Sequence, residues 1–323
     1  MKRLVVAVAA VSALALGGCG STAAPVAGPV PVASMPQPKG VADPAKPSTA
    51  AGGADTSCDP YASLTPSTLP APGSMPSGST MAKIRQRGQL IVGVDQNTYL
   101  FGYRDPATGN IVGSDIDIAR EVARAIFGDP DRVRWVAITA AQRIPDVQNG
   151  TVDMVVDTMT VNCDRLKQVR FSSIYYDAGQ RVLVPVTSKA GGIEDLGGKK
   201  VCAAAGSTSI ANIAAAKSKP IPVAVADWTD CLVMLQQNQV DAISTDDTIL
   251  NGLQAQDPQT KLVGPAFTDE PYGIAIAKGN TDFVRFVNAV LQKIHSNGRW
   301  AEIYRTWLGP GGVPSPPRVT FEG

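Results

Sequence analysis

Two arginines, Arg143 and Arg165, bracket a short apolar run, Met154-Val155-Val156, within the stretch ITAAQRIPDVQNGTVDMVVDTMTVNCDR at 138–165. A guanidinium is charged at neutral pH and carries a planar fork of donors. Close to a buried strand it needs an anion. That anion is either a protein acid, such as Asp146 or Asp153 for Arg143 and Asp164 for Arg165, or it arrives with a ligand. Polar residues TMTVN follow the apolar run, and VDAISTDD at 240–247 repeats the arrangement of a core strand ending in hydroxyls and carboxylates. Open α/β sheets bind ligands just beyond the carboxyl ends of their strands.

The elements that position these residues alternate. Ser79 caps a helix closed by Gly88, and Gln89–Val94 then reads as a strand. After a polar-aromatic loop, Ile116, Ala119, Ala123 and Ile126 repeat at helical spacing behind Asp115. Val133–Ile138 is a strand, Ile144–Asn149 a short helix stopped by Gly150, Val152–Asp157 a strand and Gln180–Val186 another. The alternation recurs from KKVCAAAG through SIANIAAAK, IPVAVA, DWTDCLVMLQQNQ and VDAIST to Pro271–Lys278 and a long final helix. The expected class is therefore α/β with mostly parallel sheets in two halves.

The ends differ from this body. Lys2 and Arg3 precede LVVAVAAVSALALGG and Cys19, the order of an export signal, with an apolar stretch too short to span a bilayer. Leu16-Gly17-Gly18-Cys19 resembles a bacterial lipobox, so residues 1–18 read as a lipoprotein signal peptide and Cys19 as the lipidated residue. Residues 19–80 are rich in Pro, Ala, Gly, Ser and Thr and read as a tether. Residues 310–323 read as a loose tail. About 230 residues remain, enough for one or two domains. A net charge of +1 without a basic patch does not suggest a nucleic-acid partner.

Lipidation of Cys19 leaves Cys58, Cys163, Cys202 and Cys231, an even number that in an exported chain points to disulfides. Strand–helix topology suits a Cys202–Cys231 staple, which leaves Cys58 to Cys163. There is no CxxC pair and His295 is the only histidine, so no metal site and no cofactor are expected.

The ordered set LIVGVDQ, GSDIDIAREVA, QNGTVDMVVDTMTVNCDRLKQVRFS, YYDAGQRVLV, DLGGKKVCAAAGST, VDAISTDD and IYRTWLG resembles the polar amino-acid solute-binding proteins of ABC importers (family 3) across residues 81–309. ITAAQRIPDVQNG resembles their glutamate/aspartate-binding subgroup. The resemblance implies a two-lobed periplasmic-binding-protein-like fold (Venus flytrap, type II), with lobe 1 at 81–183 plus 276–309 and lobe 2 at 184–275. It places hinge strands near Gln180–Val186 and Pro271–Ile276. In the pattern T-x-T-x(4)-R, Arg165 matches the arginine that forks onto the ligand α-carboxylate, with Thr160 adding donors. Ser207 and Thr208, after Gly206, would close on the same carboxylate from a helix N-terminus. Asp246 and the Thr158 carbonyl would accept from the ammonium, with Asp157 nearby and Asp247 a helix cap. Arg143 would meet a side-chain carboxylate, so two cations would serve the two carboxylates of aspartate or glutamate.

Two departures stand out. Ala141 occupies a position where that subgroup often has serine, and DQNTYLFGY replaces the usual aromatic wall. Asp95 there would repel an acidic side chain unless an arginine pairs with it, and Tyr99 or Phe101 would cover the ligand. The implied protein is a monomeric, lipid-anchored binding protein on the extracytoplasmic face, serving aspartate or glutamate or their amides. Its partner is an ABC permease, or alternatively a transmembrane sensor that reads the closed form. An enzyme is not expected: the fold also carries periplasmic dehydratases, but the lone histidine lies on the C-terminal helix and no Ser/His/Asp set is present.

Overall fold

The computed structural model describes residues 35–46, 55–309 and 315–323. Residues 37–323 form one compact unit, and of the preceding unit, 1–36, only Met35 and Pro36 are described. The signal-peptide reading and Cys19 lie outside the described residues. No helix among the described residues is long and apolar enough to cross a membrane.

Two sheets organise the unit. In the first, strands run in the order Val133–Ala137, Leu90–Val94, Met154–Val155, Ala275–Ile276, Arg170–Phe171. Leu90–Val94 pairs in parallel with both neighbours, and Ala275–Ile276 is antiparallel to both of its own. This sheet is buried on both faces, which explains its near-continuous apolar strands. Leu90, Val92 and Val94 face one core with Met154 and Val156, while Ile91 and Val155 face a second core with Val147 and Phe171. The two-residue period of a strand accounts for that split. Four helices cover the first face: Thr80–Arg87, Ser114–Phe127, Thr281–Ser296 and Arg299–Leu308. Ser79 Oγ accepts from Ala82 N, and Gly88 ends that helix at φ 87°, as the sequence predicts.

The second sheet has the order Ile221–Val225, Lys200–Ala204, Ala242–Asp246, Tyr176–Pro185, Thr260–Val263. Helices Thr208–Ala215, Trp228–Gln236 and Asp247–Gln256 pack on it. Cys202 and Cys231 join strand to helix within this lobe.

Between Thr80 and Leu308 the chain crosses from one lobe to the other twice. Tyr176–Gly179, the first part of a ten-residue strand, pairs antiparallel with Asp269–Tyr272. The expected crossing at Gln180–Val186 and Pro271–Ile276 is thus displaced. Gln180–Pro185 is already held in the second sheet by Ile243–Asp246 and Thr260–Val263, and Ala275–Ile276 is already in the first.

Two further expectations are corrected. The tether does not run unstructured to residue 80, and the tail is not loose to its end. Ala62–Leu64 pairs in parallel with Thr320–Glu322. Asn288, fully buried, donates to Ser63 Oγ at 2.8 Å and to the Leu64 carbonyl, and Ser63 Oγ donates to the Phe171 carbonyl. Cys58 is bonded to Cys163, and Arg318 stacks over the Tyr61 ring at 4.4 Å. Further upstream, Ala42 exchanges two backbone hydrogen bonds with Ala224 on the outer strand of the second sheet, and Lys200 pairs with Asp43. Polar satisfaction and a covalent link order segments whose composition gives no core-forming signal.

Candidate functional site

Arg165 lies on the short helix Cys163–Leu166, whose cap Asn162 accepts from the Arg165 N–H at 2.9 Å. Its side chain is buried between the lobes. Nη1 donates to the Thr160 carbonyl at 2.7 Å, Nη2 donates to the Gly206 carbonyl of the second lobe at 3.3 Å, and Nε has no partner. Thr160 bridges Tyr272 through Val161 N–H to the Pro271 carbonyl and Gly273 N–H to the Met159 carbonyl. In an antiparallel pair of that kind the central residue's own N–H and C=O point to the opposite side. For Thr160 that is the side of Arg165.

Gly206 is at φ 79°, and a Cβ there would stand 2.7 Å from Ala141 Cα. The lobes meet across that gap, so the structure is the closed form. The Ser207 hydroxyl donates back to the Ala204 carbonyl and does not cap the helix that begins at Thr208. Its first-turn N–H groups therefore lack a side-chain cap.

Asp246 ends its strand fully within the second lobe. Oδ2 accepts from the Tyr272 hydroxyl at 2.7 Å and Oδ1 has no partner. Burial pushes its carboxyl well above the usual range; the Glu270 charge adds to this and the Tyr272 hydrogen bond opposes it. Arg165 is brought down to about 9, by burial first and then by the Arg143 charge, while Glu270, Asp246 and Asp157 hold it up. The two guanidiniums and these three acids therefore share one electrostatic neighbourhood.

Arg143 is buried and engaged. Nε donates to the Ala140 carbonyl at 3.1 Å, Nη1 donates to the Asp157 carbonyl at 2.9 Å, and Nε lies 3.9 Å from Asp157 Oδ2. Neither acid considered from sequence serves as this partner. Asp153 is occupied by Arg87 and by the Ile91 N–H. Asp157 Oδ2 has no hydrogen bond, and burial drives that carboxyl well up against the pull of Arg143.

Thr158 adopts φ 40°, a left-handed conformation costly for a β-branched residue, and its N–H donates to Asp115 Oδ2 at 2.8 Å. Asp115 also accepts from the Tyr175 hydroxyl, and burial lifts its carboxyl to about 7. Sequence reading placed Asp115 as a helix start; here it holds the turn that delivers Thr158.

Asp95 meets no arginine among the described residues, and an arginine there is the condition under which it would tolerate an acidic ligand side chain. It accepts from Asn97 N–H at 2.6 Å and Thr98 Oγ1 at 2.8 Å, organising its own loop. Phe101 is not a cover over the ligand site. It is fully buried in the first core, edge-on to Tyr176 and Tyr272. Tyr99, in the same loop, approaches the second lobe, where a Cβ on Gly252 would lie 2.8 Å from its carbonyl. The hydroxyls of Thr160 and Thr208 are also spent elsewhere, both on Glu270 Oε2. Sequence reading missed Glu270 and Tyr272 as site residues; their only signal was their place on the second crossing strand.

A cavity of about 360 Å³ opens beside this cluster, lined among others by Cys58, Tyr61, Thr160, Thr208, Glu270 and Arg318. It reaches Thr160 and Thr208 but not Arg143 or Asp246.

The chain is 40% identical to the glutamine-binding protein of a Bacillus subtilis ABC transporter, over 71% of this chain and 84% of that protein. It is 30% identical to an L-glutamate/L-aspartate-binding protein of Pseudomonas aeruginosa, over 74% of this chain and 82% of that one. A solved structure of an ancestral arginine-binding protein bound to glutamine superposes with a TM-score of 0.64 at 33% identity, covering 69% of this chain and 99% of its own. Residues 90–310 match a single family over more than half the chain. With a two-lobed α/β fold and a buried cleft of opposed charges between its sheets, the chain belongs to the bacterial extracellular solute-binding proteins, family 3.

Proposed function

We propose that this amino-acid-binding protein of ABC transport takes L-glutamine as its preferred ligand and delivers it to a permease. One observation carries the reading: Arg165 Nε and Asp246 Oδ1 are unpartnered in the same closed cleft. An α-carboxylate satisfies the first and an α-ammonium the second, and buried polar atoms of this kind need partners. Asp157 Oδ2 is a second acceptor for the ammonium. The Thr160 and Thr208 backbone N–H groups complete the carboxylate end, Thr158 its carbonyl at the ammonium end.

The amide side chain is favoured because Arg143 already bonds two carbonyls and stands beside Asp157. A ligand carboxylate there would join Asp95, Asp115 and Asp157, whose carboxyls burial already pushes up. The Bacillus relative, named for glutamine, supports the same choice. Glutamate or aspartate is the second reading. It is favoured by the repulsion between Arg143 and Arg165, which a second ligand carboxylate would relieve.

Turnover is not part of the proposal. The one histidine, His295, stacks on Trp300 with ring centroids 4.7 Å apart, within the first lobe's helices. Lipidation at Cys19, a monomeric state and an extracytoplasmic position on the membrane complete the reading, with a transmembrane sensor as the alternative partner. Calorimetric titration with glutamine, asparagine, glutamate and aspartate tests it. Glutamine binding tightest sustains the proposal, and the acidic pair binding tightest transfers it to the second reading. Binding of none of the four would defeat both.

A further inference from the structure

Glu270 lies on the second crossing strand, 2% exposed, and its carboxylate takes four donors. Oε2 accepts from Thr160 Oγ1 of the first lobe at 2.6 Å and from Thr208 Oγ1 of the second at 2.9 Å. Oε1 accepts from Asn212 Nδ2 of the second lobe at 3.0 Å and from Thr268 Oγ1 at 2.7 Å. Asn212 Nδ2 also donates to Gln180 Oε1, and Gln180 Nε2 donates to Ser244 Oγ at 2.9 Å, so the network continues to the strand that ends in Asp246. One carboxylate oxygen thus joins two threonines from opposite walls of the cleft. Both are residues whose backbones are assigned above to the ligand carboxylate.

We propose that Glu270 is the closure latch of this protein, a positioning residue that fastens Thr160 and Thr208 to the crossing strand when the lobes shut. The inference rests on the amino-acid-binding reading but not on which amino acid binds. Opening separates Thr208 and Asn212 from Thr160, so the shared oxygen must give up at least one charge-assisted hydrogen bond. Closure regains it. The latch also sets the two threonine backbones at one spacing, because both hydroxyls are pinned to the same atom.

The test uses the oxidised protein with spin labels at the exposed positions Arg134 and Lys217, one on each lobe. Thr208→Val removes the second-lobe hydroxyl and leaves the crossing strand intact, Glu270→Gln keeps the side-chain shape, and Glu270→Ala removes the acceptor. Interlobe distances are recorded without ligand, with glutamine alone and with a mixture of the twenty amino acids. Stopped-flow measures release of whichever amino acid binds. The latch requires roughly tenfold faster release in Thr208→Val and Glu270→Ala, the worth of one charge-assisted hydrogen bond. Their distance distributions should also shift towards the open form. Glu270→Gln should fall between these and wild type, because its amide can donate to both hydroxyls. Unchanged distances and release in folded Thr208→Val and Glu270→Gln would overturn the latch, so a Glu270→Ala variant that fails to fold costs nothing. Wild type that closes on the mixture but not on glutamine removes the glutamine assignment and leaves the latch test running. Should no amino acid close wild type, the binding reading fails, and the ligand-free distances alone decide the latch by the same shift.

Discussion

Arg143 reaches Asp157 at two points: Nη1 donates to the Asp157 carbonyl at 2.9 Å, and Nε stands 3.9 Å from the Asp157 carboxylate. The cation is thereby tied to the exit of the strand that precedes Thr158. Removing one member of a buried pair leaves the other without compensation. Arg143→Ala should therefore destabilise the ligand-free protein by about 1–3 kcal/mol. Adding Asp157→Asn should recover part of that loss. Urea unfolding of the single and double variants checks it, and additive losses would show that the pair is not coupled.

Arg165 combines two carbonyl contacts with an Nε that has no protein partner. A lysine keeps the charge and loses the fork. Arg165→Lys should weaken glutamine binding by on the order of a hundredfold, equivalent to about 2.7 kcal/mol. Isothermal calorimetry of the two proteins at one pH measures the difference. Equal affinities would remove Arg165 from the ligand.

The buried acids give binding a proton signature. Burial holds Asp246 well above the ordinary carboxylate range, whereas an incoming ammonium favours its ionised form. Binding should then release protons, and affinity should rise with pH up to the point where Asp246 is ionised without ligand. Calorimetry in buffers of different ionisation enthalpy reads the number released; uptake would contradict the assignment. Without ligand the trend reverses. Asp115 is raised from 3.8 to about 7, so folding binds its proton. The stability this contributes is full below 3.8 and is lost as pH rises through about 7. Thermal melts of the ligand-free protein between these limits should fall with pH on this account, and Asp115→Asn should flatten that part of the profile.

Gly252 sits inside the helix Asp247–Gln256, where alanine is intrinsically the better residue by about 0.8–1.0 kcal/mol. Yet a Cβ there would lie 2.8 Å from the Tyr99 carbonyl across the lobe boundary. Gly252→Ala should leave the ligand-free melting temperature equal or higher while weakening ligand affinity about tenfold, through obstructed closure. An undiminished affinity would mean that Tyr99 yields at little cost.

Much of this was written into short-range pattern. The apolar run in Gln89–Val94 gives a core strand, and Ser79 and Gly88 bound their helix. The cysteine pairing followed from topology once four cysteines were in play. What was not legible depends on partners distant in the chain. Asn288 lies 225 residues from Ser63, and nothing local announces that the two meet. Asp115 looks like an ordinary first-turn acid until Thr158 is folded onto it. Glu270 has no motif of its own, because its role comes from four donors gathered by the closing of two lobes. Phe101 sits in a loop that sequence assigns to the site, but an aromatic ring with no polar atom packed more favourably into the adjacent core.

The Cys58–Cys163 bond has a mechanical side. Cys163 is the first residue of the short helix that carries Arg165, and Lys167 just beyond it pairs with Asp55. Upstream, Val41–Ala45 is held to the second lobe by backbone hydrogen bonds at Ala42 and Ala45, by the pairing of Asp43 with Lys200 and by apolar contacts of Val41 and the buried Ala45 with that lobe's core. Tension applied to the chain ahead of residue 41 would peel those few bonds from the sheet edge first. It would then be carried covalently through Cys58–Cys163 into the short helix of Arg165, bypassing the crossing strands. The load path from the N-terminal side thus ends at the buried Arg165, and the two strands that join the lobes are left unloaded.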